Sequence, residues 1–264
     1  LKPVFFRKEV LQKYYDNPDK YTVTDGRLRC GSLWSVQIDN DHPDQVMVFL
    51  GDLGRDLPEV ERDYWASFNV VPTSGMSETA IRRSFLAQFA GPKSADLQFK
   101  SAYQQFNRRF AEVTGWDLFR APVPADEHLY QRLRLPLNGS QPEFEGQLFS
   151  LTKVLVDFLN EGEIGRQLTT KSPDEKGIDK LRRWMTDQTY PHVDRDIAFL
   201  KRLQKLRSKV AAHRKGSDYE RTLVEEGVDD DPIAEMTKLF NSGTAMLSDL
   251  AVHLGIPGFP FDDE

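Results

Sequence analysis

Hydrophobic spacing separates an opening half of mixed periodicity from a closing half with a single period. From Val4 to Asp16, Val4, Leu11 and Tyr14 or Tyr15 recur at helical spacing until Asn17-Pro18 stops the run. A sheet is expected next. Tyr21 to Thr24 and Arg27 to Cys30 flank Asp25-Gly26, a two-residue turn suited to positive φ. Trp34, Val36 and Ile38 then alternate with polar residues, as in a strand with one wet face. Val46 to Leu50 is apolar on both faces, which predicts an interior strand covered on two sides, and Gly51-Asp52-Leu53-Gly54 reads as a turn. Helices are expected over Pro58 to Phe68, Ser77 to Ala90 and Leu97 to Val113, with Ser77 as an N-cap and Gly91-Pro92 and Gly115 as stops. Pro122, Pro124, Pro136 and Asn138-Gly139 make Ala121 to Gln141 the expected connection between two structural units, with the boundary near residue 140.

Beyond that point every signal is helical. Phe144, Leu148, Leu151, Leu155 and Phe158 draw one apolar stripe. A second helix is expected from Gly177 to Thr186. A third, from Val193 to Lys215, carries Ile197, Leu200, Leu203, Leu206 and Val210 and stops at Gly216. A fourth starts at Asp231-Pro232 and ends at Gly255-Ile256-Pro257. Four amphipathic helices with modest connections imply an antiparallel bundle. The fold class is therefore α+β: a mixed α/β unit with a small antiparallel sheet over residues 1–140, and an antiparallel α-helical bundle over residues 141–264.

Composition changes this picture little, but charge changes it more. The 264 residues are 39% apolar and 29% charged, which excludes collagenous and wholly disordered classes. Cys30 is the single cysteine, so an internal disulfide and a cysteine-rich zinc site are both excluded. No run of about 18 uncharged apolar residues and no signal-peptide pattern is present, so a cytoplasmic protein without membrane association is expected. The first residue is Leu1, which leaves room for a missing upstream domain. The net charge of −6 hides a reversal. Residues 192–215 hold eight basic side chains against Asp194 and Asp196, a local charge of +6, while residues 216–264 hold twelve acidic side chains against Arg221 and Lys238. One reading is an RNA-binding face using Lys201, Lys205, Arg214 and Lys215. The other is a solvated face paired with the acidic loop Glu225 to Asp231.

Within the basic helix, Arg207 and His213 are separated by five residues, followed by Arg214-Lys215-Gly216. This string resembles the HEPN superfamily, whose signature is arginine, four to six residues, then histidine on the third long helix of a bundle. The resemblance covers residues 141 to 254 and leaves the first half unassigned. It departs from the common pattern at Ser208, where active members usually carry Asn, Asp or His. The resemblance implies a metal-independent endoribonuclease without a cofactor, a toxin or antiviral defence effector, acting as a homodimer that leaves 2′,3′-cyclic phosphate ends. The alternative is a non-catalytic module that dimerises or docks onto a partner protein, or a protein that binds nucleic acid without cleaving it. Arg207, a permanently cationic fork of donors, suits the non-bridging phosphate oxygens, and His213 suits proton transfer near neutral pH, with Ser208 and Lys209 in support. On one ideal helix the two lie about 120° apart around the axis and ~9 Å apart along it. A site that uses both therefore asks for Arg207 of one protomer and His213 of the other. Read without the resemblance, His213 closes an apolar stripe or caps a helix, and Arg207 is a surface ion-pairing residue.

Other constellations carry less. Asp39, Asp41, His42 and Asp44 match no cation-binding spacing and read as a polar hairpin loop. Pro43-Asp44 with Pro173-Asp174-Glu175-Lys176 lacks the strand spacing of a metal-dependent nuclease core. Trp34, Tyr64, Trp65, Phe68, Trp116 and Phe119 suit core packing better than base stacking, and His128, His192 and His253 are expected at the surface or at a helix start.

Overall fold

A computed structural model describes residues 2–124, 126–170, 175–211, 225–228 and 230–259. The chain opens with strand β1 (Pro3–Arg7), a 3-10 turn (Lys8–Leu11) and α1 (Gln12–Tyr15), then β2 (Tyr21–Thr24), β3 (Arg27–Cys30), β4 (Trp34–Gln37) and β5 (Gln45–Phe49). There follow α2 (Leu50–Asp56), α3 (Glu59–Ala66), β6 (Asn69–Val70), α4 (Glu78–Phe85) and α5 (Ala95–Thr114). Two antiparallel three-stranded sheets result, with orders β5-β1-β6 and β2-β3-β4. The first half is thus mixed and the second helical, as the hydrophobic periods imply.

The Asp25-Gly26 turn forms as its residues demand, with Gly26 at φ +75° joining β2 to β3 in the expected register. Val4 to Arg7, by contrast, is strand and not helix. Its aromatic and β-branched residues pair along β5, Val4 with Val48 and Phe6 with Val46, and Phe5 and Phe6 are both buried. β1 therefore holds the sheet centre, and β5, buried at every position, lies at its edge, where Asp39 and Met47 exchange backbone hydrogen bonds. Gly51 to Gly54, expected as a turn, belongs to α2. Ser77 caps α4 through a hydrogen bond from Ala80 N to its hydroxyl, 3.0 Å, but the helix stops at Phe85. Ala87 takes a left-handed φ of 50°, and Arg83 donates from Nε to Ala90 O at 2.8 Å, turning the chain back before Gly91.

The chain divides into two compact units at Gln98/Phe99, well ahead of the boundary expected near residue 140. The reason is aromatic. Phe99, Phe106 and Phe110 of α5 are fully buried and face the second unit's core, where Phe99 meets Phe240 at 5.4 Å between ring centroids. Trp116 bridges Phe110 and Trp184 at 4.9 and 5.6 Å. The proline-rich stretch is part of that unit too. It contains α6 (Glu127–Arg132), buries Leu133, Leu135 and Leu137, and anchors Arg134 on Glu143 at 2.6 Å.

The second unit continues with α7 (Gln141–Thr152), a π-turn (Lys153–Asp157), α8 (Glu161–Gln167), α9 (Gly177–Asp187), α10 (Val193–Ala211) and α11 (Pro232–His253). α10 packs on α7, α9 and α11, and Leu148, Leu151, Leu155, Leu200, Leu203 and Phe240 are fully buried. Asp231 caps α11 by accepting from Ile233 N at 2.9 Å, with Pro232 in the first turn. Among the described residues, no helix is long and apolar enough to cross a membrane.

Candidate functional site

α10 is amphipathic because Ile197, Leu200, Leu203 and Leu206 recur on one side, and the same period sends its cations outward. Those cations meet carboxylates. Arg195 pairs with Asp196 at 2.7 Å and with Asp249 at 2.8 Å, and Lys201 pairs with Asp179 at 2.9 Å. Arg202 pairs with Glu235 at 2.8 Å. Lys205 contacts Glu226, which raises its pKa, and stands 3.9 Å from Glu225. The reading of a solvated face paired with the loop that begins at Glu225 therefore describes the middle of this helix. Ser208 is exposed and returns its hydroxyl to Gln204 O at 2.8 Å, a local helix bond. Lys209 is exposed and has no ion pair among the described residues. His213, Arg214 and Lys215 lie outside the described residues.

Arg207 differs from its neighbours. Its guanidinium donates from Nη1 to Asp157 Oδ2 at 2.6 Å, with side chains 21% and 32% exposed. Asp157 is placed there by the π-turn, where Phe158 N donates to Lys153 O at 3.0 Å. Val154, Leu155 and Val156 are buried consecutively, more apolar surface than one helical stripe accommodates, and the wider turn places all three inward. Asn160 then restarts the chain as the N-cap of α8, accepting from Glu163 N at 3.4 Å.

Two further cations reach the same turn. Lys153 stands 4.0 Å from Asp157 and 3.4 Å from Asp126. Leu118 to Arg120 runs antiparallel beside Phe158 to Asn160, with Arg120 N donating to Phe158 O at 2.7 Å and Asn160 N to Leu118 O at 2.9 Å. That pairing carries Arg120 to the turn, where its Nη2 donates to Asp157 O at 2.9 Å. Arg207, Lys153 and Arg120 thus all touch one residue. Sequence reasoning found only Arg207. Lys153 and Asp157 share an i, i+4 spacing on the polar side of the Phe144–Phe158 stripe, which is a readable signal, whereas Arg120 lies just ahead of the segment read as a connection and belongs to no expected element.

In the first unit, the acidic cluster proves to be a set of caps. Asp39 accepts from Ser77 N and Ser77 Oγ, both at 2.8 Å, fixing the start of α4. Asp41 accepts from Lys93 N at 2.8 Å, Ser94 N at 2.6 Å and Thr79 Oγ1 at 2.6 Å, fixing the approach to α5. His42 lies 2.5 Å from Asp44 and contacts Ser74. No group of side chains able to hold a metal ion occurs among the described residues. Glu175 pairs with Arg183 at 2.5 Å, while Pro173 and Asp174 lie outside the described residues. Trp65 is buried, with its Nε1 donating to Tyr14 Oη at 2.7 Å, and Trp116 and Phe119 belong to the second unit's aromatic core. His192 and His253 are exposed, His253 contacting Gln188 O at 2.8 Å, and His128 is half-buried. No family model, curated protein or solved structure matches the chain.

Proposed function

We propose that the second unit is a HEPN-type, metal-independent endoribonuclease in which Arg207 binds the scissile phosphate and His213 transfers protons. The observation that supports it is the state of Arg207: half-buried, anchored through Nη1 alone among the described residues, and held by a carboxylate presented from a π-turn. Such turns are rare and concentrate at functional sites. The remaining guanidinium donors suit two non-bridging oxygens.

In the reaction, the 2′-hydroxyl loses its proton, its oxygen attacks phosphorus, and the 5′-oxygen departs with a proton. The products are a 2′,3′-cyclic phosphate and a 5′-hydroxyl. Arg207 stabilises the charge on the five-coordinate phosphorus, and His213 supplies or removes a proton. On an ideal helix, residues six apart do not share a face, so this reading places the two on opposite protomers of a homodimer. Incubation of the full chain with RNA, with analysis of fragment ends, tests this reading. Cyclic phosphate termini are expected, lost in Arg207→Ala and His213→Ala while the circular dichroism spectrum is retained, and light scattering is expected to give a dimer mass. Intact RNA at high protein concentration overturns it.

A second reading, a non-catalytic dimerisation or docking module, is favoured by one feature: Arg195, Lys201, Arg202 and Lys205 are each compensated by carboxylates of the same unit, so the helix offers a phosphate backbone little net charge there. Intact RNA together with a dimer mass is its signature.

A further inference from the structure

We infer that Arg120, Lys153 and Arg207 form one cradle for the backbone phosphates of single-stranded RNA, with the Asp157 carboxylate seated where a phosphate binds. The inference rests on the ribonuclease reading for its choice of polyanion. Its geometry stands separately.

Three cations from three elements meet at Asp157, and they meet it in different ways. Arg207 holds the carboxylate, Nη1 to Oδ2 at 2.6 Å. Lys153 is shared between Asp157 at 4.0 Å and Asp126 at 3.4 Å, so neither carboxylate fixes it closely. Arg120 holds the Asp157 backbone carbonyl at 2.9 Å, and its own backbone is pinned to Phe158 O at 2.7 Å. If the Asp157 side chain rotates away, Arg120 therefore stays in place, Arg207 is released, and Lys153, still beside Asp126, faces whatever anion replaces the Asp157 carboxylate. Pairs this exposed are weak and exchangeable. A phosphodiester offers Arg207 two acceptor oxygens in the geometry of a carboxylate, without the tether to the π-turn. Arg202, one and a half turns earlier on the same helix, cannot act this way, because its partner Glu235 is fully buried.

The test is binding of a short labelled 2′-O-methyl RNA, which lacks the attacking hydroxyl, to the full chain by fluorescence anisotropy across a salt series, with unmodified RNA followed for cleavage in parallel. Asp157→Asn is expected to tighten binding about threefold, the scale of one half-exposed ion pair. Arg120→Ala and Lys153→Ala are each expected to weaken it roughly threefold to tenfold and to flatten the log–log salt slope by about 0.7, the share of one phosphate contact on a single strand. Arg120→Lys, which keeps the charge and guards against a folding artefact, is expected to recover most of the loss. Unchanged binding in Arg120→Ala and Lys153→Ala, or weaker binding in Asp157→Asn, overturns the cradle even where unmodified RNA is cleaved. The expected binding pattern without cleavage upholds the cradle and removes the ribonuclease. No binding by any variant removes the cradle, and intact unmodified RNA in the parallel assay removes the ribonuclease as well.

Discussion

Replacing Arg202 by alanine should destabilise the second unit by about 3 kcal/mol, and the reason lies in its partner. Glu235 on α11 is fully buried, and Arg202 Nη2 reaches its Oε1 at 2.8 Å while Nε and Nη2 also bind Glu226 O at 3.1 and 3.0 Å. Removing Arg202 takes from the buried Glu235 its cation at 2.8 Å, and breaking a buried pair from one side costs roughly 3–5 kcal/mol. Because the Arg202 side chain is 24% exposed, water can reach the vacated space, and the lower end of that range applies. For a unit of this length that corresponds to a fall in Tm of roughly 6–12 °C. Urea denaturation gives the total, and hydrogen exchange on α10 and α11 peptides assigns the loss to the second unit, since tryptophans occur in both. Arg202→Met combined with Glu235→Leu replaces both charges by apolar groups and should return to within about 1 kcal/mol of the parent. A loss below about 1 kcal/mol for Arg202→Ala, or a double variant as unstable as the single, refutes the argument.

Two further outcomes follow from local geometry. At Gly243 on α11 an added Cβ would lie 2.9 Å from Phe99 Cε2 and 3.3 Å from Leu155 Cδ1, both fully buried. Gly243→Ala should therefore lower stability by about 1 kcal/mol, overpacking outweighing the better helix propensity, and a raised Tm refutes this. In the first unit Glu61 accepts from Lys13 Nζ at 2.8 Å and Tyr14 Oη at 2.6 Å. Burial pushes its carboxyl up, but the hydrogen bonds from Lys13, Tyr14 and Tyr21 outweigh burial and hold its pKa below the ordinary value. The unfolded chain then takes up the proton first, at about pH 4.3, so this contribution is complete above that pH and is lost as pH falls through the lower folded value. The Tm gap between the parent and Glu61→Gln should accordingly narrow below about pH 4.3, and a gap independent of pH refutes the assignment.

What the sequence disclosed followed from rules that act over a few residues. The Asp25-Gly26 hairpin, the Ser77 and Asp231 caps and the left-handed Gly115 all appear where their own chemistry places them. β1 was obscured because Val4, Leu11 and Tyr14 fall at helical spacing by coincidence, and only pairing with β5 settles the strand. Two glycines concealed α2, and proline content misplaced the boundary, since prolines mark irregular backbone and not the edge of a core. At the candidate site, Arg207 was singled out by the Arg207 to His213 string. Its partner was not, because Asp157 lies fifty residues away in sequence and reaches Arg207 through a π-turn that no residue pattern announces.

The +6 of the basic helix stands against the acidic balance of the whole chain, and its meaning depends on what each cation already holds. A cation on a buried carboxylate is committed: releasing Arg202 breaks a pair whose other member, Glu235, is fully buried, which is strongly destabilising, so Arg202 serves the fold. Lys201 holds the exposed carboxylate of Asp179 and Lys205 the half-buried one of Glu226, and exchange of either leaves an anion beside the incoming phosphate. Arg207 is the described member of the helix that joins a releasable partner to two more cations, Lys153 and Arg120, from other elements. Local charge density therefore does not show which cations are free to exchange their partners. The middle of α10 is rich in cations and already compensated, whereas the π-turn end gathers three cations against two half-exposed carboxylates, Asp126 and Asp157, and that excess is what an RNA backbone would meet.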